Sequence, residues 1–143
     1  MLCQGGLMPI VTWGDEYLLG IQELDNHHMW LISLLNKSYD AYKSAASAES
    51  LANVLKELID YATYHFEAEE YWMTRHSYPK LAEHKVEHDR FSEKVNFYQK
   101  EYLEGKASLS VKLFQFLANW LRTHILELDA DYGRFYAAQV RAE

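Results

Sequence analysis

Several things are scarce in this sequence, and each scarcity excludes something. There is one cysteine, Cys3, so no disulfide can form within the chain, which suits a reducing compartment. Between Gly20 and Gly105 there is no glycine, and the only proline in that stretch is Pro79. Strands joined by turns need such residues, whereas long helices with few breaks do not. No apolar run approaches the roughly 20 residues of a membrane span. Met1–Met8 lack the positive start and long apolar stretch of a signal peptide, and Met8 is as good a natural start as Met1. Basic residues are outnumbered, 14 Lys+Arg against 21 Asp+Glu for a net charge of −7, and none cluster. Nucleic acid and anionic membrane surfaces are therefore excluded as expected partners. The expectation is a cytoplasmic protein without a membrane segment.

The chain that remains is 143 residues long and 49% hydrophobic, enough for one core. A single domain over 1–143 is expected, with residues 1–10 a flexible N-terminus. Apolar residues recur at helical spacing. In 21–45 the stripe is Ile21, Leu24, His28, Leu31, Ile32 and Leu35, with a break at Ser44–Ser47. A second helix, about 49–73, turns Leu51, Val54, Leu55, Leu58, Ala62, His65, Glu69 and Trp72 inward. Ser77-Tyr78-Pro79 interrupts the pattern, with Pro79 expected in the first turn of the next helix. The third helix, about 80–104, carries Leu81, His84, His88, Phe91, Val95, Tyr98 and Tyr102, and Gly105 ends it. A fourth, capped near Ser108, carries Leu113, Leu117, Trp120, Leu121, His124 and Leu128. A short last helix is expected over Phe135–Val140. Short connections between long helices predict an all-α, up-down-up-down four-helix bundle, with Ile10–Tyr17 an ordered arm packed on it.

The histidines carry the chemistry. Of seven, five (His28, His65, His84, His88 and His124) fall on the apolar stripes of four different helices. His84 and His88 are four apart and face the same way, as do His65 and Glu69. His27 points to the flank, and His27 and His76 are expected at the surface. A buried imidazole needs partners for both nitrogens. Five inward histidines and Glu69 cannot all satisfy one another, but a metal takes each lone pair and offsets the carboxylate charge. Five nitrogen donors with carboxylates exceed one tetrahedral zinc site and suit a pair of first-row ions, iron first. No histidine has a Glu three residues before it, so the Glu-x-x-His pattern of carboxylate-rich di-iron enzymes is absent.

These residues resemble a known family. Leu19-Gly20-Ile21 followed by Asp25-Asn26-His27-His28 resembles the first-helix signature of bacterial hemerythrins, with His27 where that pattern has Gln, which leaves open whether His27 stands behind the metal ligands as the Gln would. His65-x-x-x-Glu69, His84-x-x-x-His88 and His124-x-x-x-x-Asp129 are similar to the family's remaining motifs, in the same order, over about residues 11–137. The resemblance implies two oxo- or hydroxo-bridged irons. One would be held by His84, His88 and His124, the other by His28 and His65 with an open position, and Glu69 and Asp129 would bridge them. Asp129 lies five residues after His124, about 140° round an ideal helix, so it converges only if the helix widens, as at a π-bulge. The same resemblance implies a dioxygen pocket flanked by Leu31, Phe66, Trp120, Leu121 and Ile125, with Tyr132 near the metals. It implies reversible dioxygen binding without catalysis, for transport, storage or delivery. A sensor of oxygen or redox state acting through a separate protein partner remains open, as does a peroxide- or nitric-oxide-reacting or iron-handling role.

Overall fold

The computed structural model describes residues 9–105 and 111–142. Cys3, both candidate start methionines and the expected Ser108 cap lie outside the described residues. The helices are α1 (Gln22–Lys43), α2 (Ala48–Arg75), α3 (Leu81–Leu103), α4 (Val111–Thr123) and α5 (Ala130–Ala142), with a π-helical segment, His124–Asp129, between the last two. α1 packs along α2, α2 along α3, and α4 on α1, closing a four-helix bundle. The last helix continues from the π segment without a turn, since Thr123 and Ala130 both keep right-handed helical dihedrals.

The breaks have local causes. α1 stops where Ala45 takes a left-handed φ of 56°, and Ser47 then caps α2 by accepting from the Ser50 amide at 3.1 Å. α3 ends at Gly105, whose φ of 71° suits a residue without Cβ. Pro79 is not in the first turn of α3 as expected. The chain reverses at Ser77 (φ 54°), the Tyr78 amide bonds back to the Met73 carbonyl at 2.9 Å, and Pro79 sits in that turn. Val54, Trp72 and Leu128 are only half-buried and Tyr98 is exposed, because only the centre of each stripe faces the other helices.

The arm is pinned by side-chain bonds. Asn36 Oδ1 accepts from the Ile10 and Val11 amides at 3.0 and 3.1 Å, and Asn36 Nδ2 donates to the Val11 carbonyl. Asp25 accepts from the amides of Leu19 (2.7 Å) and Gly20 (3.3 Å), where Gly20 has a φ of 97°. Gly133 of α5 lies so close to this turn that a Cβ there would sit 2.6 Å from the Leu19 carbonyl oxygen. The main core holds Leu31, Leu35, Leu58, Phe91, Phe114 and Leu117 among others. A smaller cluster, Ile21, Leu24, Met73, Tyr78 and Tyr132, closes the other end. The histidines lie between the two. No helix among the described residues is long and apolar enough to cross a membrane.

Candidate metal centre

Each of the four rods of the bundle delivers ligand-type side chains to one buried layer. α1 supplies His28, α2 His65 and Glu69, α3 His84 and His88, and the π segment His124 and Asp129; all seven are buried. The widened turn is what brings Asp129 round to His124.

The two carboxylates divide the histidines into two nests. Glu69 Oε1 lies 3.2 Å from His84 Nε2 and 3.0 Å from His88 Nε2, whereas Oε2 lies 3.2 Å from His28 Nε2 and 3.1 Å from His65 Nε2. Asp129 repeats the division: Oδ1 is 3.0 Å from His84 Nε2 and 3.1 Å from His124 Nε2, and Oδ2 is 2.9 Å from His28 Nε2. Donor atoms of Glu69, His84, His88 and His124 lie within 4.8 Å of one another, and so do those of His28, His65, Glu69 and Asp129. Every hydrogen-bond or ion-pair partner of the two carboxylates among the described residues is a histidine.

The contacts around Asp129, short but without hydrogen-bond alignment, test whether the residues suit a metal. Both Asp129 oxygens are buried, and none of the Asp129 contacts has hydrogen-bond geometry, whereas Glu69 is hydrogen-bonded to His28 and His84. His88 Nε2 and His124 Nε2 face each other at 3.0 Å. These atoms aim at points between them rather than at one another, which is how ligands converge on an ion. The residues fit a pair of metals bridged by two carboxylates.

Electrostatics give the same answer. Burial alone would lower the His28 imidazole, but the close carboxylates of Asp129 and Glu69 outweigh it and push it up to about 10. His84 is pushed up to about 10 by the same opposition. Burial opposes ionisation of Glu69, yet the surrounding histidines hold it well below the usual carboxylate range, and Asp129 likewise. Burial wins at His65 and lowers it. Two buried anions ringed by five imidazoles are the charge pattern a cationic pair would complete.

The outer contacts correct one expectation and add residues it lacked. His27 and His76 are not at the surface. His27 is buried, its Nδ1 3.0 Å from His65 Nδ1, because α2 lies across the flank to which it points. His76 is half-buried, its Nδ1 2.8 Å from the Trp72 carbonyl and 3.1 Å from the Tyr132 hydroxyl. Tyr132 is buried, but its hydroxyl is turned to His76. Glu70 accepts from His88 Nδ1 at 2.8 Å, which with the resulting pairing keeps its carboxyl below its usual range. The Tyr17 carbonyl accepts from His28 Nδ1 at 3.4 Å. Only the adjacency of Glu70 to Glu69 in sequence could have pointed to it.

Apolar rings wall the layer. Phe66 stacks on His88 at 4.0 Å and Trp120 on His124 at 4.5 Å, and Ile125 is buried beside them. One helical turn below the histidines lies a void of about 10 Å³, lined by Leu31, Ala62, Phe91 and Leu121 among others. These four stand three residues from His28, His65, His88 and His124 respectively, so the void lies about one turn from both nests. Ala62 and Phe91 read in the sequence as core alone.

An all-helical bundle with a buried, carboxylate-bridged, histidine-rich pocket defines a dinuclear metal protein. Comparison with known proteins agrees. The Hemerythrin HHE cation binding domain family matches residues 19–136. A bacteriohemerythrin of Clostridium acetobutylicum is 36% identical over 125 residues, covering 85% of this chain and 97% of that one. Bacteriohemerythrin of Methylococcus capsulatus is 31% identical over 127 residues, covering 88% and 96%. The crystal structure of wild-type hemerythrin superposes with a TM-score of 0.82 at 28% identity, covering 87% of this chain and 96% of that one. The chain belongs to the hemerythrin family.

Proposed function

We propose that this chain binds dioxygen reversibly at a non-haem di-iron centre, for transport, storage or delivery, as a single domain of the cytoplasm. The observation that carries it is the division of each buried carboxylate between two histidine nests. In this reading His84, His88 and His124 hold one iron, His28 and His65 hold the other, and Glu69 and Asp129 are shared. The unequal nests leave the two-histidine position short of ligands, and that is where a diatomic would bind. When bound, the iron pair supplies the two electrons and the open coordination position that reversible dioxygen binding requires.

The chain's own residues set the limits of that chemistry. Five imidazoles against two carboxylates keep the site less anionic than a carboxylate-rich one, which disfavours cleavage of the O–O bond. Phe66, Trp120, Leu121, Leu31 and Ile125 exclude water, and the void of about 10 Å³ beneath them is apolar and at the lower limit for a single water, so it stays dry. A dry wall keeps water and stray protons away from the position the metals would take. The net charge of −7 supports no nucleic-acid partner.

The test is metal analysis followed by an anaerobic optical titration in which the reduced protein is given dioxygen and then stripped of it. Two irons per chain and a visible absorption band that appears and reverses are expected. Protein expressed with ample iron that holds none would refute the di-iron reading. Two irons that oxidise without a reversible band would refute the carrier role.

A further inference from the structure

His27 belongs to neither nest, yet it is tied to one of them from behind. His65 presents its two ring nitrogens to different company. Nε2 lies 3.1 Å from Glu69 Oε2, facing the shared carboxylates, and Nδ1 lies 3.0 Å from His27 Nδ1. An imidazole that gives its Nε2 lone pair to a metal keeps its proton on Nδ1, so Nδ1 must donate. The ring that receives that proton's hydrogen bond must offer a bare Nδ1 and carry its own proton on Nε2.

We propose that His27 is the positioning residue of the two-histidine nest: it accepts the Nδ1–H of His65 and so holds His65 Nε2 toward the metal position. This deepens the di-iron reading and rests on it. The arrangement is built for the purpose. His27 is buried, edge-on to the Tyr61 ring at 5.7 Å and tilted against Tyr64 at 5.2 Å, so it has little room to turn away. It stands next to His28 in α1, and its bond to His65 of α2 crosses between the two helices that make this nest. A ligand's outer hydrogen bond sets its tautomer and orientation, and losing one typically costs about 10–100-fold in metal affinity.

The other nest is backed differently. His88 Nδ1 donates at 2.8 Å to Glu70, an anionic acceptor, whereas His65 relies on a neutral ring. The two metal positions are therefore held by separate outer partners, and disturbing His27 loosens one of them alone.

The experiment uses full-length protein loaded with two irons, mixed anaerobically with excess ferrous chelator, with release followed in time. H27F fills the same space without an acceptor; H27Q restores an acceptor oxygen. In H27F one of the two irons should leave about 10–100-fold faster than in the parent, with the second unchanged. In H27Q release should return to within about threefold of the parent. The proton spectrum of the diferrous protein should also lose or shift one solvent-exchangeable, paramagnetically shifted resonance in H27F, that of the His65 Nδ1–H. Unchanged release in H27F would overturn the proposal. So would equal acceleration in H27F and H27Q, which would mark a packing effect. If circular dichroism shows that metal-free H27F does not fold, H27L is measured in its place. A parent protein unable to hold two irons would overturn the di-iron reading itself, and is told apart by the parent's own metal content.

Discussion

The bundle has two contrasting halves stacked along one axis. In one, seven buried polar side chains converge, and both Asp129 oxygens are left without a hydrogen bond. In the other, one to three turns away, Leu35, Leu58, Phe91, Phe114 and Leu117 pack with no polar atom to satisfy. The same four helices build both. The difference teaches that the apolar half supplies the folding energy and the polar half draws on it. Two carboxylates and five imidazoles add no apolar burial, and each carries a desolvation cost that its neighbours must offset. They are held in place by helices whose registers are set elsewhere.

That division can be broken from either side. The largest effect is expected from Glu69→Gln, which removes the anion common to both nests. Iron content should fall from two per chain to less than one, by metal analysis, while urea unfolding of the metal-free chain stays cooperative. Loss of helical structure instead would mean that the polar half also supports the fold.

Acidity comes next. In the metal-free chain His28 and His84 are pushed up to about 10, so below that range a metal must displace their protons. Iron affinity should fall as pH falls, by about tenfold per pH unit for each proton displaced. Proton release on loading, in weakly buffered solution near neutrality, checks the sign. The metal-free fold should behave oppositely on the alkaline side. Groups raised from 6.5 to about 10 contribute stability that is full below 6.5 and lost as pH rises through 10. The depressed Glu69 and Asp129 contribute stability that is lost as pH falls below the ordinary carboxylate range.

The converse of the Glu69 variant lies in the apolar half. Phe114 of α4 is fully buried against the rings of Tyr39 and Tyr42 of α1. Phe114→Ala should cost about 3–5 kcal/mol, read by urea unfolding of the metal-free protein, yet two irons should still bind per chain. Loss of iron stoichiometry would show that the halves are not separable. The smallest effect is expected from Gly133→Ala, where the added Cβ would meet the Leu19 carbonyl oxygen at 2.6 Å. The arm must shift, at a cost of about 1–3 kcal/mol. An unchanged melting temperature would mean that the Leu19–Gly20 turn yields freely.

The sequence by itself determined the helices and most of the layer of ligand-type residues. Period 3.6 is local: it places His84 and His88, or His65 and Glu69, on one face whatever the neighbours do. Glycine and proline, at Gly105 and Pro79, marked breaks for the same local reason, although the start of α3 fell two residues past Pro79 once Ser77 had turned the chain. Asp129 was legible only through the family pattern, since an ideal helix would turn it away, and the π segment is the local widening that reconciles the two. What only the tertiary structure decided is what stands behind the first layer. Whether a flanking histidine is solvated or buried depends on which helix crosses it. His27 is buried because α2 lies over it, His76 is half-buried because Tyr132 reaches it, and Glu70 meets His88 because α3 runs beside α2. The void beneath the histidines is likewise a property of four helices at once: Ala62 and Phe91 read as ordinary core, and Leu31 and Leu121 as pocket residues only through the family pattern, until the packing places all four around one space.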